Sequence, residues 1–95
     1  MLVRSYKVRN GLDAPRLAEL FVWTEREFDE RMRGSAIYRI GYVRWLRNIA
    51  VALGNANPTP EIIAALQARR EDASALVREH VNWALRQHAQ HQGRH

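Results

Sequence analysis

The chain has 95 residues, 46% of them hydrophobic and three of them tryptophan, which bounds it to one small domain with a modest core. It contains no cysteine, so disulfides and thiolate metal centres are excluded. Its formal net charge is +5, and arginine supplies all but one of the fifteen basic side chains. The guanidinium is a planar fork of donors matched to phosphate, so this bias favours a nucleic-acid partner; a GC-rich genome is the competing explanation. No apolar run reaches the length of a membrane span, and the first residues lead into polar ones without a signal-peptide core, so a cytoplasmic location with no membrane partner is expected.

Residues 1–12 read as an arm or short strand, with Leu2, Val3, Tyr6 and Val8 apolar and Arg4, Lys7 and Arg9 between them; fraying is expected there. Asp13 is a good N-cap with Pro15 in the first turn, which predicts a short helix to about Phe21. Thr24 and Glu27 have capping-box spacing, and Trp23 and Phe28 have hydrophobic-staple spacing. A second helix is therefore predicted over 25–33, with Gly34 as its left-handed C′ residue and i,i+4 pairs such as Glu27–Arg31 on its solvated face. Ser35 is placed to cap a short helical turn through Ile40, which Gly41 interrupts. Over 42–53 the apolar positions are 42, 45, 46, 49 and 53, with Arg44, Arg47 and Asn48 on the opposite side. Gly54 and Asn55 are expected to close that helix and open a loop. Thr59 and Pro60 start the next helix, with Ile62, Ile63 and Leu66 on its apolar face. Residues 71–74 form a turn. The last helix is predicted over about 75–89, with Val77, Val81, Ala84, Leu85 and His88 in register, leaving 90–95 as a disordered tail.

Two of these helices look like copies. An offset of 32 residues brings Ile49 onto Val81, Ala52 onto Ala84 and Leu53 onto Leu85. That period suits paired helices stacked as in HEAT-like repeats. The chain shows no convincing strand pair and no glycine-rich phosphate loop. The fold expected is all-α: a small HEAT-like helical-repeat bundle of four to five helices over 13–89, with the helices of 14–33 covering its open end.

Function is sought first in the arginines. Between Arg31 and Pro60 there is no Asp or Glu, and Arg31, Arg33, Arg39, Arg44 and Arg47 lie in that window. Arginines clustered without acidic neighbours make a positive patch, and phosphate contacts dominate nucleic-acid affinity. Arg39, Arg44, Arg47 and Asn48 are the candidate contacts, with Arg31 and Arg33 further out. Arg47 has a structural alternative, bonding a carbonyl or a carboxylate such as Glu79. Tyr38 is the candidate for stacking on an unpaired base, whereas Tyr42 is in the apolar register. Trp23, Trp45 and Trp83 read as core or inter-helix filler. His88 and His91 stand at i,i+3 with no third ligand indicated, so no metal site is assigned. His80 beside Glu79 has no nucleophile or second carboxylate placed with it, so no catalytic residue is assigned either.

Several of these motifs also carry a family resemblance. Gly11-Leu12-Asp13, Leu20-Phe21-Val22-Trp23, Gly34-Ser35-Ala36-Ile37, the run from Leu46 to Asn55, and the stretch from Leu76 to Leu85 resemble the C-terminal region of epoxyqueuosine reductase, the bacterial enzyme that completes the queuosine base in tRNA. The resemblance runs from about Arg9 to Leu85. Tyr38 stands where that family usually has a second arginine, and Val43 where a polar residue is common. The resemblance implies a tRNA-binding accessory domain that grips the anticodon arm through Arg39, Arg44, Arg47 and Asn48. It also implies cobalamin and two 4Fe-4S clusters elsewhere in the enzyme. Clusters need cysteine thiolates, so no cofactor is expected on this chain, and the reductase chemistry would need regions it lacks. On this reading the chain is a detached C-terminal domain or a truncated relative, and its partners are tRNA and a separate chain carrying the catalytic regions. The alternative is a stand-alone HEAT-like module for protein–protein interaction.

Overall fold

Five α-helices and one 3-10 turn make up the residues that the computed structural model describes, 10–93, and no strand occurs among them: α1 (Asn10–Phe21), α2 (Glu25–Met32), the 3-10 turn (Ile37–Ile40), α3 (Tyr42–Asn55), α4 (Pro60–Ala68) and α5 (Ala75–Gly93). The all-α expectation holds. Most of the predicted arm, 1–9, and the last two residues lie outside this range.

Two boundaries differ from the expected ones by about four residues. Helix α1 begins at Asn10, so Asp13 lies inside it and Pro15 stands in its second turn. As the sixth helical residue, Pro15 has no N–H for the Gly11 carbonyl and its ring crowds that carbonyl, a cost confined to the first two turns. Helix α5 continues to Gly93 rather than ending near Ala89. No proline or glycine intervenes before Gly93 to stop it.

The starts of α2 and α4 follow their caps. Thr24 accepts from the Glu27 N–H while the Glu27 carboxylate accepts from the Thr24 N–H at 2.8 Å, the full capping box. Glu27 is thereby used locally and does not pair with Arg31; the i,i+4 pairs on α2 are Arg26–Glu30 and Asp29–Arg33. Thr59 accepts from the Ile62 N–H, with Pro60 at the first helical position.

Gly34 follows the C-cap Arg33 with a positive φ, as predicted, and the bonding around it is that of a turn. Arg33 has φ −57° and ψ 132°, Gly34 has φ 91°, and the Ser35 N–H bonds the Met32 carbonyl at 2.9 Å. These are the marks of a type II turn with glycine at its third position, where a positive φ is required. The chain leaves α2 sharply enough to lay the 3-10 turn beside it.

The core is one cluster. Phe21, Leu46, Leu53, Ile62, Leu66, Val77, Val81 and Ala84 are fully buried, with Phe28, Trp45 and Ile49 close behind. Each such aliphatic or aromatic side chain contributes roughly 1.5–3 kcal/mol by leaving water. Helix α3 packs most extensively on α5, and α1 on α4. The two copy-like helices therefore lie against each other. Their buried faces agree at Ile49 and Val81 but not throughout: Leu53 is fully buried while Leu85 is only half-buried.

Gly54 does not close α3. It is a buried helical residue, and a methyl group on it would meet the Trp83 ring at 2.5 Å and the Ala84 backbone at 3.0 Å. The glycine lets α3 and α5 approach. Near it, the buried His88 reaches from α5 to the Leu53 carbonyl at 2.8 Å. A carbonyl only accepts, so His88 Nε2 carries the proton and caps the end of α3.

A polar node closes the other side. Arg69 follows α4 and is largely buried with its partner Asp72, which accepts from it at 2.8 Å. The same guanidinium donates to the carbonyls of Phe21 and Trp23 and, at 2.7 Å, to the Tyr42 hydroxyl. Tyr42 in turn donates to the Trp23 carbonyl. Asp72 also accepts from the Ser74 N–H, and Arg78 donates to the Asp72 and Ala73 carbonyls. One side chain thus satisfies the end of α1, the α1–α2 junction, the start of α3 and the α4–α5 turn.

Two substitutions test this packing. Gly54→Ala raises intrinsic helix propensity by up to about 1 kcal/mol, yet it is expected to destabilise by about 1–3 kcal/mol, because the added methyl would overlap the Trp83 ring at 2.5 Å and press on the Ala84 backbone at 3.0 Å. Arg69→Ala is expected to cost about 2–4 kcal/mol, since it strands buried carbonyls and the Asp72 charge. Arg69→Lys should recover only part, because an ammonium cannot span four acceptors in a plane. Urea midpoints with unchanged slopes check all three variants.

Candidate nucleic-acid interface

The segment from Gly34 to Asn48 has to be built from its anchors outward. Phe28 of α2 is almost fully buried and lies against Trp45 at 4.8 Å between ring centroids, Tyr42 at 5.6 Å and Tyr38 at 5.8 Å. Trp23 adds a further contact to Trp45 at 5.7 Å. Contacts of this kind favour tilted or offset rings. The aromatic cluster fixes α2 and the 3-10 turn to the first turn of α3.

Gly41 is the joint between that turn and α3. Its φ of 94° and ψ of 151° lie in a region that only glycine occupies readily, although a Cβ there would touch nothing. No side chain caps α3 at Gly41, and no acidic residue stands in its first turn. The first N–H groups of a helix lack partners within it and carry the positive end of its dipole.

The arginines divide into two groups. Arg31 lies over the Trp23 ring at 5.1 Å. Arg33 is paired with Asp29. Arg47 Nε donates to the Asn48 side-chain oxygen at 2.9 Å, rather than to Glu79. Arg39 and Arg44 are exposed, and neither has a carboxylate partner among the described residues. Arg44, Arg47 and Asn48 share one face of α3 by their i, i+3, i+4 spacing, with Arg44 and Asn48 exposed and Arg47 half-buried.

Tyr38 has commitments within the domain. Its ring stacks on Phe28 and its hydroxyl donates to Asp29. That bond, with the Arg33 guanidinium beside it, holds the Asp29 carboxyl below the ordinary carboxylate range. The Asp29 carboxylate in turn pushes the Tyr38 hydroxyl above the ordinary tyrosine range. One ring face of Tyr38 is therefore covered, and about a third of the residue stays exposed (36%).

Two features escaped the sequence reading. Arg69 carries the polar node, and nothing in its position after an apolar helix distinguishes it from the solvated Arg70 beside it. Arg70 and Arg86 are exposed, and among the described residues neither has a carboxylate partner. They line an open groove of about 490 Å³ between α4 and α5, with Gln67 and Asn82 over Ile63 and Leu85. Only the tertiary pairing of the two helices brings them together.

No group of three His, Cys, Asp or Glu among the described residues is placed to hold a metal ion. His80 Nδ1 bonds the Leu76 carbonyl at 2.8 Å, and the side chain of His91 lies outside the described ones. With no cysteine in the chain, these residues do not fit an iron–sulfur cluster. No helix among the described residues is long and apolar enough to cross a membrane.

Comparison with known proteins adds a direct match. The chain is 58% identical over 83 residues to the epoxyqueuosine reductase of Xanthomonas campestris, covering 87% of this chain and 23% of that enzyme. It is 57% identical over 96 residues to that of Burkholderia pseudomallei, covering 88% and 24%. With that of Escherichia coli it shares 50% over 82 residues, covering 86% and 21%. The chain thus resembles part of epoxyqueuosine reductase, spanning about a quarter of the length of these curated relatives. No protein-family model and no solved structure matches it.

The Asp29–Tyr38 contact has a pH signature. A lowered carboxyl pKa stabilises the fold above the unfolded value of about 3.9 and is lost as pH falls through the depressed one. A raised phenol pKa stabilises below about 10 and is lost as pH rises through the raised one. The stability difference between the wild type and Asp29→Asn should therefore be largest between about pH 4 and 10 and shrink on both sides. Urea midpoints across pH read it; a difference independent of pH would exclude the contact as its source.

Proposed function

We propose that this domain holds substrate tRNA for an epoxyqueuosine reductase, acting in queuosine biosynthesis in the cytoplasm. The observation that carries the reading is the state of Arg39 and Arg44: exposed, without carboxylate partners among the described residues, and flanking the uncapped start of α3 within an acid-free stretch. Guanidinium groups left free in this way suit phosphate oxygens, and the helix start adds N–H donors and dipole of the same sign. Arg47, oriented by Asn48, continues the row along α3. Arg31 and Arg33 serve as outer contacts from their places on Trp23 and Asp29. Tyr38 offers one ring face to a base.

The match to the reductases supports a role in queuosine biosynthesis; tRNA as the substrate is what the family resemblance implies, and the positive charge suits it. The removal of the epoxide oxygen is assigned to parts of the relatives that this chain does not span. The anticodon arm is the part of tRNA the domain grips, because the queuosine base lies there. The side-by-side packing of α3 and α5 at a 32-residue offset supports a HEAT-like arrangement for the grip.

Arg39→Ala combined with Arg44→Ala should weaken tRNA binding roughly tenfold or more and flatten the plot of log affinity against log salt by roughly 1.5–2 units, about one per lost contact. The circular dichroism spectrum and urea midpoint should stay as in the wild type, since both side chains are exposed. Filter binding or anisotropy at four salt concentrations measures it. Unchanged affinity and slope in a folded double variant would remove these residues from the interface.

A further inference from the structure

The 3-10 turn and the start of α3 carry an apolar surface that the tRNA reading does not use. Ile37 is 40% exposed, Ile40 44% and Val43 40%, with Tyr38 at 36% beside them. Three large aliphatic residues thus stand open within seven positions. In a 3-10 helix residues three apart eclipse, so Ile37 and Ile40 lie on one side. The patch is held in shape. Ser35 Oγ donates to the Met32 carbonyl at 2.7 Å, Tyr38 is fixed by Phe28 and Asp29, and Gly41 sets the angle into α3. Exposed branched aliphatics this close together in the chain, on a fixed backbone, suit an interaction surface.

We infer that Ile37, Ile40 and Val43 form the surface on which the remainder of the epoxyqueuosine reductase polypeptide docks. Two observations select this occupant. The chain aligns over 86–88% of its own length with enzymes of which it covers only 21–24%, so in those relatives the matching region is continuous with about three to four times its own length of further polypeptide. The side chains are aliphatic, and branched aliphatics bury against protein cores, whereas unpaired bases stack on aromatic rings. Arg39 and Arg44 stand between and beside the apolar residues. They therefore form a basic rim, which places the tRNA contacts at the edge of this seam and suits a partner with an apolar centre and acceptors around it. The inference rests on the match to the reductases and not on tRNA binding, so either can fail alone.

The test is solvent access at Ile40 in two settings. Because the chain has no cysteine, Ile40→Cys introduces a single thiol into it. Its alkylation rate is measured in the isolated chain and in a chimera in which this chain replaces the matching region of the Xanthomonas campestris enzyme, with peptide-resolved mass spectrometry separating it from the enzyme's own cysteines. Glu71→Cys, on the exposed α4–α5 turn, is the reference. The expected result is alkylation at least tenfold slower in the chimera for Ile40→Cys and equal rates for Glu71→Cys. Hydrogen exchange on the unsubstituted chimera and chain, which needs no variant to fold, should show added protection over 37–44. Equal Ile40→Cys rates with no gain in protection overturn the inference. So does protection in the isolated chain that grows with its concentration, which would make a second copy the occupant.

Discussion

The Arg69 guanidinium is the constraint on which the architecture depends. Four of its hydrogen-bond partners come from four different places: Phe21 at the end of α1, Trp23 before α2, Tyr42 at the start of α3, and Asp72 in the turn before α5. Apolar packing is not directional and would tolerate several arrangements of five short helices. A planar donor fork with fixed acceptors tolerates far fewer. The neutralising Asp72 makes its burial affordable, and the side chains of both are about 15% exposed.

That node explains how the rest can be laid out. By holding Tyr42 and the Trp23 carbonyl together, it sets α3 against the α1–α2 junction. The aromatic cluster around Phe28 and Trp45 then seats the type II turn and the 3-10 turn on the same end of α3. The outcome is a projecting segment whose backbone is fixed but whose Arg39, Arg44, Ile37, Ile40 and Val43 face outward. The other end of α3 is closed by Gly54 against Ala84 and by His88 on the Leu53 carbonyl. Arginine therefore plays two roles in one molecule: Arg69 and Arg78 bond carbonyls inside it, while Arg39 and Arg44 remain available.

Much of this was legible in the sequence where the signal is local. Capping at Thr24 and Thr59, the apolar register of α3, and the break at Gly41 all depend on residues within a few positions of one another. What depends on tertiary approach was not legible. Gly54 reads as a helix stop because glycine often is one, and only the closeness of Ala84 shows that the missing methyl is the point. Nothing local sets Arg69 apart from Arg70, because three of its four acceptors lie 27 to 48 residues away. The acid-free window located the candidate interface but could not sort its arginines. Arg33 is claimed by an aspartate four positions back and Arg31 by the face of Trp23, and both depend on how α2 is rotated.

The central claim is that a basic, pre-shaped end of α3 recognises the arm of tRNA in which epoxyqueuosine stands. The most direct measurement is a fluorescence titration of the domain with an anticodon stem-loop bearing guanosine at the wobble position, set against a scrambled hairpin, at low and at physiological salt. The account predicts tighter binding to the cognate loop at both salt concentrations. Equal affinity for the two hairpins, or binding that vanishes at physiological salt, would contradict it and leave the positive charge without a specific ligand.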